Sequence, residues 1–347
     1  MPQRSAAPLV LTVAATLLLA ACSSLPEPAP APRPDASQAP VQTVVEVSPL
    51  TGEALPQGRP SHPVLVVKIE NTAAGAPQTG LDRADLVVEE LVEGGLTRLA
   101  AFFYSELPAG VGHVRSVRAT DIGIAAPVAG QVVASGGASG TLRKVRDAGI
   151  TVFSEDDDAP GFSSDPLKVR PYNRLVDLRR VARSAVVEEV PGPYLDWTPL
   201  PGTDGGDASA ASAGVVKGPA REPAASATVT FSPSTSTRWA LDGEQWVRTN
   251  GRATKEFRAD TLVVMFAEVG DAGYLDPAGN PVPETRMEGS GRAVLLTAAG
   301  ALETTWTKES ADDTLTFATA DGAPVTIDPG HAWIELVPEV GGSLSVG

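Results

Sequence analysis

Apolar residues follow two different patterns along the chain. In residues 46–201, apolar runs alternate with amphipathic stretches, which is typical of strands mixed with helices. In residues 228–342, short alternating segments are separated by turn signals such as Asp242-Gly243, which predicts β-structure throughout. We therefore expect an α/β (α+β) N-terminal domain with an antiparallel hairpin, followed by a mainly-β C-terminal domain. In the first region we predict strands at 64–69, 85–93, 96–105 and 131–134, and helices at 120–129, 139–148 and 177–187.

A low-complexity stretch separates the two regions. Residues 202–227 are rich in Gly, Ala, Ser and Pro and contain few large apolar side chains. Because such a composition does not build a packed core, it predicts a flexible linker or a long insertion. The remaining chain is long enough for two domains, and its 42% of hydrophobic residues is enough for each to have a core.

The first 45 residues have the pattern of an export signal followed by a stalk. Arg4 precedes a short apolar segment, and residues 1–21 end in Leu19-Ala20-Ala21 directly before Cys22. The apolar run is too short to cross a bilayer and instead predicts a signal peptide. Its end resembles the bacterial lipobox, in which the cysteine becomes the first residue and carries lipid. An ordinary signal peptide with an incidental cysteine is the alternative.

Residues 22–45 predict a stalk behind the lipidated Cys22. This segment consists largely of Pro, Ala and Ser, a composition that favours extended polyproline II conformation. The predicted location is the outer face of the bacterial cytoplasmic membrane, and the membrane is a partner through the lipid on Cys22.

Composition excludes several classes of function. The net charge of −15 argues against a nucleic-acid partner, because phosphates select basic surfaces. A single cysteine leaves no disulfide and no cysteine-based zinc site. The glycine-rich residues 136–140 match no nucleotide-binding motif, and the acidic residues 155–158 lack EF-hand spacing. We predict no metal and no cofactor, and no known motif identifies a catalytic residue.

The hairpin around Gly94-Gly95 is the first candidate site. With the two glycines as a two-residue turn, Leu91 would face Arg98, and one sheet face would carry Asp85, Glu89, Glu93 and Arg98. This face predicts either a polar site on a rigid hairpin or a solvated surface with cross-strand ion pairs.

Two further arginines precede a predicted helix. Arg115 and Arg118 are three residues apart, and in an acidic protein they suit a phosphate or carboxylate ligand. Internal pairing with Glu89, Glu93 or Asp121 is the alternative, because the same guanidinium chemistry serves both roles.

Several motifs resemble those of the YerB-like bacterial lipoproteins. They cover about 49–190 and 228–338, nearly the whole chain after the predicted stalk. In the first region they are Pro49-Leu50-Thr51-Gly52, Pro77-Gln78-Thr79-Gly80-Leu81, Ala84-Asp85-Leu86-Val87-Val88-Glu89, Val92-Glu93-Gly94-Gly95-Leu96-Thr97-Arg98 and Val114-Arg115-Ser116-Val117-Arg118. In the second they are Gly289-Ser290-Gly291-Arg292, Thr305-Trp306-Thr307-Lys308 and Asp328-Pro329-Gly330-His331-Ala332-Trp333-Ile334.

The resemblance implies a lipid-anchored protein with this two-domain order and no settled reaction. The shared pattern implies a polar pocket in the first domain, with Asn173 as one corner; its full set of candidate residues is Glu89, Glu93, Arg98, Arg115, Arg118 and Asn173. This chain departs from the family where Tyr172 replaces an expected histidine, which weakens any histidine-based mechanism. His113 stands where the family usually has proline and inherits no role.

Three functions remain open on this basis. The first is a non-catalytic binding protein whose arginines hold an anionic cell-wall component or a membrane-protein partner. The second is a glycan-processing enzyme that uses Glu89 or Glu93 with Asp121 as an acid/base pair. The third is an envelope scaffold that docks through the β domain, although alternation predicts that its tryptophans are buried.

Overall fold

We describe the fold from a computed structural model, for residues 45–187, 189–201, 221–276 and 279–347. The predicted signal peptide, Cys22, nearly all of the predicted stalk and most of the 202–227 segment lie outside the described residues. Val44–Gly347 forms one compact unit. Within the described ranges, no helix combines the length and the apolar character that crossing a membrane requires.

The described chain contains few helices and many strands, which confirms the predicted fold class. The helix that begins at Asp121 stops at Ala125, where a 3-10 turn follows, and the helix that begins at Leu178 stops at Ala182, so both are shorter than predicted. The helices are α1 (Asp121–Ala125), α2 (Ser139–Asp147) and α3 (Leu178–Ala182). The strands are β1 (Leu65–Glu70), β2 (Leu86–Leu91), β3 (Thr97–Phe103), β4 (Val111–Gly112), β5 (Gln131–Ala134), β6 (Val152–Ser154), β7 (Phe162–Ser164), β8 (Arg174–Val176), β9 (Ser226–Ser232), β10 (Thr235–Asp242), β11 (Gln245–Arg248), β12 (Arg258–Ala259), β13 (Thr261–Ala267), β14 (Val269–Leu275), β15 (Pro281–Thr285), β16 (Gly289–Thr297), β17 (Gly300–Lys308), β18 (Thr316–Ala318), β19 (Pro324–Val325), β20 (Ala332–Pro338) and β21 (Ser343–Val346).

One large mixed sheet organises the molecule. Its eleven strands run in the order β19-β18-β17-β16-β13-β20-β2-β3-β1-β5-β6. The segments that the sequence suggests as two domains lie side by side in it, because β2 pairs in parallel with β20. Every residue of β1, β3, β13 and β20 is buried, as expected of strands with both faces covered.

The two faces of this sheet pack against different elements. The first face, which carries Val66, Val88 and Ala100, forms a core with residues of α1 and α2. The second face, which carries Val67, Val87 and Ala101, forms a core with α3 and with the five-stranded sheet β12-β11-β10-β9-β21. The predicted burial of the tryptophans is confirmed for Trp239, Trp246, Trp306 and Trp333.

The hairpin between β2 and β3 exists, but the predicted register is wrong by one residue. Leu91 pairs with Thr97, and Glu90, not Leu91, lies opposite Arg98. The connection is longer than two residues, because the Val92 amide donates to the Leu96 carbonyl at 2.7 Å around a 3-10 turn. Gly94 and Gly95 both adopt a positive φ there, of 72° and 69°, which glycine tolerates without strain.

A one-residue shift in the pairing changes which side chains of β2 share a face with those of β3. Glu90 and Arg98 share the first face, whereas Glu89 belongs to the second. The predicted polar face of Asp85, Glu89, Glu93 and Arg98 is therefore wrong. Asp85 instead accepts hydrogen bonds from the Tyr104 and Ser105 amides at 2.6 and 3.0 Å, which is a structural role at the base of β2.

Candidate functional site

A polar pocket of about 220 Å³ opens at the turn between β2 and β3. The turn contributes the wall from Val92 to Arg98, and the end of β1 contributes Glu70 and Thr72. Other loops add Arg115, Tyr172 and two residues from the β14–β15 connection. Among the described residues, the lining consists of Glu70, Thr72, Val92, Glu93, Gly94, Leu96, Thr97, Arg98, Arg115, Tyr172, Asp276 and Asn280.

Two guanidinium groups share one carboxylate at this pocket. Arg118 makes a two-point contact with Glu93, with Nε 2.9 Å from Oε2 and a second bond from its NH2 group. Arg98 donates to the same carboxylate at 3.1 Å and to the Ser116 carbonyl at 3.3 Å. Burial lowers the pKa of Arg98 to about 10, and the neighbouring Arg118 adds to that effect. Burial opposes ionisation of Glu93, but its two arginines outweigh burial and lower its pKa.

The third predicted arginine has its own partners. Arg115 forms an ion pair with Glu70, and its guanidinium lies 5.0 Å from the centre of the Tyr172 ring. Its side chain keeps 14% of its surface exposed, more than that of Arg98 or Arg118. Burial lowers the pKa of Arg115, but the ordinary pKa of an arginine is so high that the group stays charged.

A second layer of charges lies behind the pocket on the same face. Lys68 on β1 contacts Glu90 Oε1 at 2.5 Å and Asp121 Oδ1 at 2.6 Å, and all three side chains are fully buried. Burial alone would lower the pKa of Lys68, but the carboxylates of Asp121 and Glu90 outweigh it and raise the pKa. This layer has one more acid than bases, whereas the layer of Arg98, Arg118 and Glu93 has one more base than acids.

The second face of β2 holds a pair of acids. Parallel pairing puts Glu89 beside Glu335 of β20, and both side chains are fully buried. Glu89 accepts from Asn71 at 2.9 Å and from Thr237 at 3.1 Å, and Glu335 accepts from Trp239 Nε1 at 2.7 Å. Burial raises the pKa of both carboxyls, and the charge of Glu89 raises that of Glu335 further. The nearby charge of Arg248 opposes the shift at Glu89, and the two carboxyls titrate as a pair.

The structure brings together part of the predicted site. Glu93, Arg98 and Arg115 line the pocket, and Arg118 binds Glu93 from behind. Glu89 lies on the opposite face, and Asn173 is not among the lining residues, although its neighbour Tyr172 is. Asp121, the second carboxylate of the glycan hypothesis, is fully buried beside Lys68 and does not line the pocket.

Sequence reasoning missed Glu70, Tyr172, Asp276 and Asn280 as lining residues. Lys68 and Glu70 do carry a signal, because they interrupt an otherwise apolar strand at alternate positions. The β14–β15 residues carry none, because their approach to the pocket is set by tertiary packing.

Comparisons with known proteins agree with the fold and the motifs. Residues 50–190 match the family model described as "Protein of unknown function (DUF3048) N-terminal domain", and residues 227–334 match its C-terminal domain. Over 71 residues the chain is 42% identical to the Bacillus subtilis (strain 168) protein named "Putative lipoprotein YerB"; the match covers 20% of this chain and 22% of that protein. The crystal structure of the YerB protein from Bacillus subtilis superposes with a TM-score of 0.69 at 20% identity, covering 86% of this chain and 99% of that one.

Proposed function

The chain belongs to the DUF3048 family, and we propose that it is a lipid-anchored binding protein of the cell envelope. Lipid on Cys22 would hold it at the outer face of the cytoplasmic membrane, and the pocket at the β2–β3 turn would take an anionic group of an envelope ligand. The Leu19-Ala20-Ala21-Cys22 sequence and the name of the Bacillus subtilis relative support the anchor.

The observation that carries the proposal is the cluster of three guanidinium groups at the pocket. Arg98 and Arg118 share the single carboxylate of Glu93, and Arg115 is paired with Glu70. Asp276 also lines the pocket, so the supporting feature is the set of directed N–H donors on Arg98 and Arg115 rather than an excess of positive charge. A phosphate or carboxylate would meet these guanidinium groups as charge-assisted hydrogen-bond donors.

The size of the pocket limits what enters it. A volume of about 220 Å³ is below the range of roughly 300–1,000 Å³ that holds a drug-sized molecule. The pocket therefore suits one small anionic group with its immediate neighbours, and the rest of the ligand would remain outside. Thr72 and Asn280 supply neutral polar groups for hydroxyls next to that anion.

We test the proposal by titration calorimetry on residues 44–347, which form one compact unit and lack Cys22. The probes are sn-glycerol 1-phosphate, inorganic phosphate and a muramyl tripeptide. Arg115→Gln is expected to weaken binding of an anionic probe roughly tenfold or more, because it removes a charge-assisted hydrogen bond.

The matched control is Arg174→Gln. Arg174 is a similarly buried arginine paired with Glu155, and it does not line the pocket. Binding should be unchanged in this variant. Equal losses in the two variants, or no binding of any probe by the unaltered protein, would contradict the proposal.

A further inference from the structure

Exposed aliphatic side chains stand on the loops that line the pocket. Leu96 lines the pocket directly and is 42% exposed. Leu275, next to the lining residue Asp276, is 61% exposed. The loop between β7 and β8, which provides Tyr172, carries Leu167 and Val169 at 90% and 76% exposure. Exposed apolar side chains thus accompany the pocket-lining residues in three separate segments of the chain.

Two contacts fix the β7–β8 loop beside the pocket. The Tyr172 amide donates to the Val169 carbonyl at 2.9 Å, which links Val169 to the lining residue Tyr172. Lys168 Nζ, between the two aliphatic residues, donates to the Ala74 carbonyl at 3.1 Å. The polar Lys168 side chain thus contacts the protein, whereas Leu167 and Val169 remain in solvent.

We propose that the ligand is a membrane phospholipid whose anionic headgroup enters the pocket while the loop aliphatics contact the apolar part of the bilayer. This inference rests on the proposed function and names its ligand class. We call Leu96, Leu167, Val169 and Leu275 the aliphatic rim.

The chain length and the composition of the aliphatic rim favour a lipid over a protein partner. Twenty-two residues separate Cys22 from Val45, and a chain of that length spans at most about 80 Å, which keeps the pocket within reach of the bilayer. The aliphatic rim is split over three segments of the chain, and no Trp or Phe is exposed among the described residues, whereas protein interfaces rely on such anchors. Aliphatic side chains suffice for contact with the acyl boundary.

Net charge determines how such binding would work. At −15, the protein is repelled as a whole from anionic lipid. Binding therefore depends on the pocket and the aliphatic rim together. Diffuse electrostatic attraction does not replace them, and a neutral bilayer lacks the anionic headgroup that the pocket would bind.

The test is vesicle flotation of residues 44–347, with phosphatidylcholine vesicles that contain or lack phosphatidylglycerol. The fragment is expected to float with the first and not with the second. The double variant Leu167→Ser/Val169→Ser is expected to bind these vesicles at least tenfold more weakly, because each exposed aliphatic contributes roughly that factor when buried. Its affinity for soluble sn-glycerol 1-phosphate should be unchanged.

Val186→Ser is the matched control. Val186 is 69% exposed, and its carbonyl accepts from Gln131, which pairs with Leu65 at the end of β1 opposite to the pocket. This variant should float normally.

Each failure has a separate meaning. If the unaltered fragment binds sn-glycerol 1-phosphate but does not float, or if the double variant floats like Val186→Ser, the lipid inference is overturned and the proposed function stands. If the fragment binds no soluble anion, the proposed function fails, and the lipid inference fails with it.

Discussion

Glu89 and Glu90 are neighbours in β2 and are equally buried, but they meet different partners on the two faces of the sheet. Glu90 meets Lys68 at 2.5 Å on the first face, where every acid has a basic partner nearby. Glu89 meets a second acid, Glu335, on the second face. A buried charge can be balanced by an opposite charge or removed by a proton, and the environments of these two adjacent positions favour different solutions.

Removing the cation from the first face should have the largest effect. In Lys68→Met, Glu90 and Asp121 remain buried together without their shared partner. We expect the free energy of unfolding, measured with denaturant, to fall by about 3–5 kcal/mol, because breaking a buried ion pair leaves an uncompensated charge.

Lys144→Met is the control for this first prediction. Lys144 pairs with Glu284 at 2.5 Å, but its side chain is 48% exposed. Such surface pairs contribute about 0–1 kcal/mol, so the control should be close to the unaltered protein. Similar small losses in both variants would show that burial does not distinguish the two pairs.

The acid pair on the second face predicts a smaller, pH-dependent effect. The pKa of Glu335 is raised in the folded protein, so its contribution to stability is complete below the unfolded value of about 4.3 and is lost as pH rises through the folded pKa. Glu335→Gln removes this titration, and its amide still accepts from Trp239 and can donate to Glu89. Relative to the unaltered protein, we expect a gain in unfolding free energy that grows with pH across that interval, to about 1–3 kcal/mol.

Glu303→Gln separates this effect from a general effect of net charge. Glu303 is 66% exposed and pairs with Arg292, so its substitution should leave the pH dependence nearly unchanged. A constant offset between Glu335→Gln and the unaltered protein from acid to neutral pH would mean that the pair holds no shared proton.

A single hydrogen bond on the second face gives the smallest predicted effect. Trp239→Phe removes the indole donor 2.7 Å from Glu335 Oε1. Trp246→Phe makes the same change in volume at a fully buried indole whose N–H has no hydrogen-bond partner among the described residues. We expect Trp239→Phe to cost about 1 kcal/mol more in thermal unfolding than Trp246→Phe. Equal costs would assign both to lost packing.

The sequence predicts the elements of the fold better than their pairing. Apolar runs and turn residues identify the strands and the hairpin, because both signals come from residues that are close together in the sequence. The register depends on whether Gly94-Gly95 forms a two-residue turn or part of a longer turn. The amino-acid sequence of the hairpin is compatible with both turns. A shift of one residue exchanged the roles of Glu89 and Glu90.

The candidate site was predictable only within one segment of chain. Glu93, Arg98, Arg115 and Arg118 lie within one stretch of the sequence and do meet in the structure. The pairing of Glu89 with Glu335 depends on β2 and β20 becoming neighbours, which no local pattern encodes. The participation of Lys68 was visible as a charge in an apolar strand, but its two partners were not.

The position of β20 also sets the order in which the protein can fold. Val88 pairs with Ile334, 246 residues further along the chain, and both lie in the middle of the large sheet. Contacts of such high sequence separation slow folding, because a long loop must close before they form. During synthesis from the N-terminus, β2 and β3 are made long before β20, which pairs with β2. Until β20 is available, the incomplete sheet has an open edge that must be kept from aggregating.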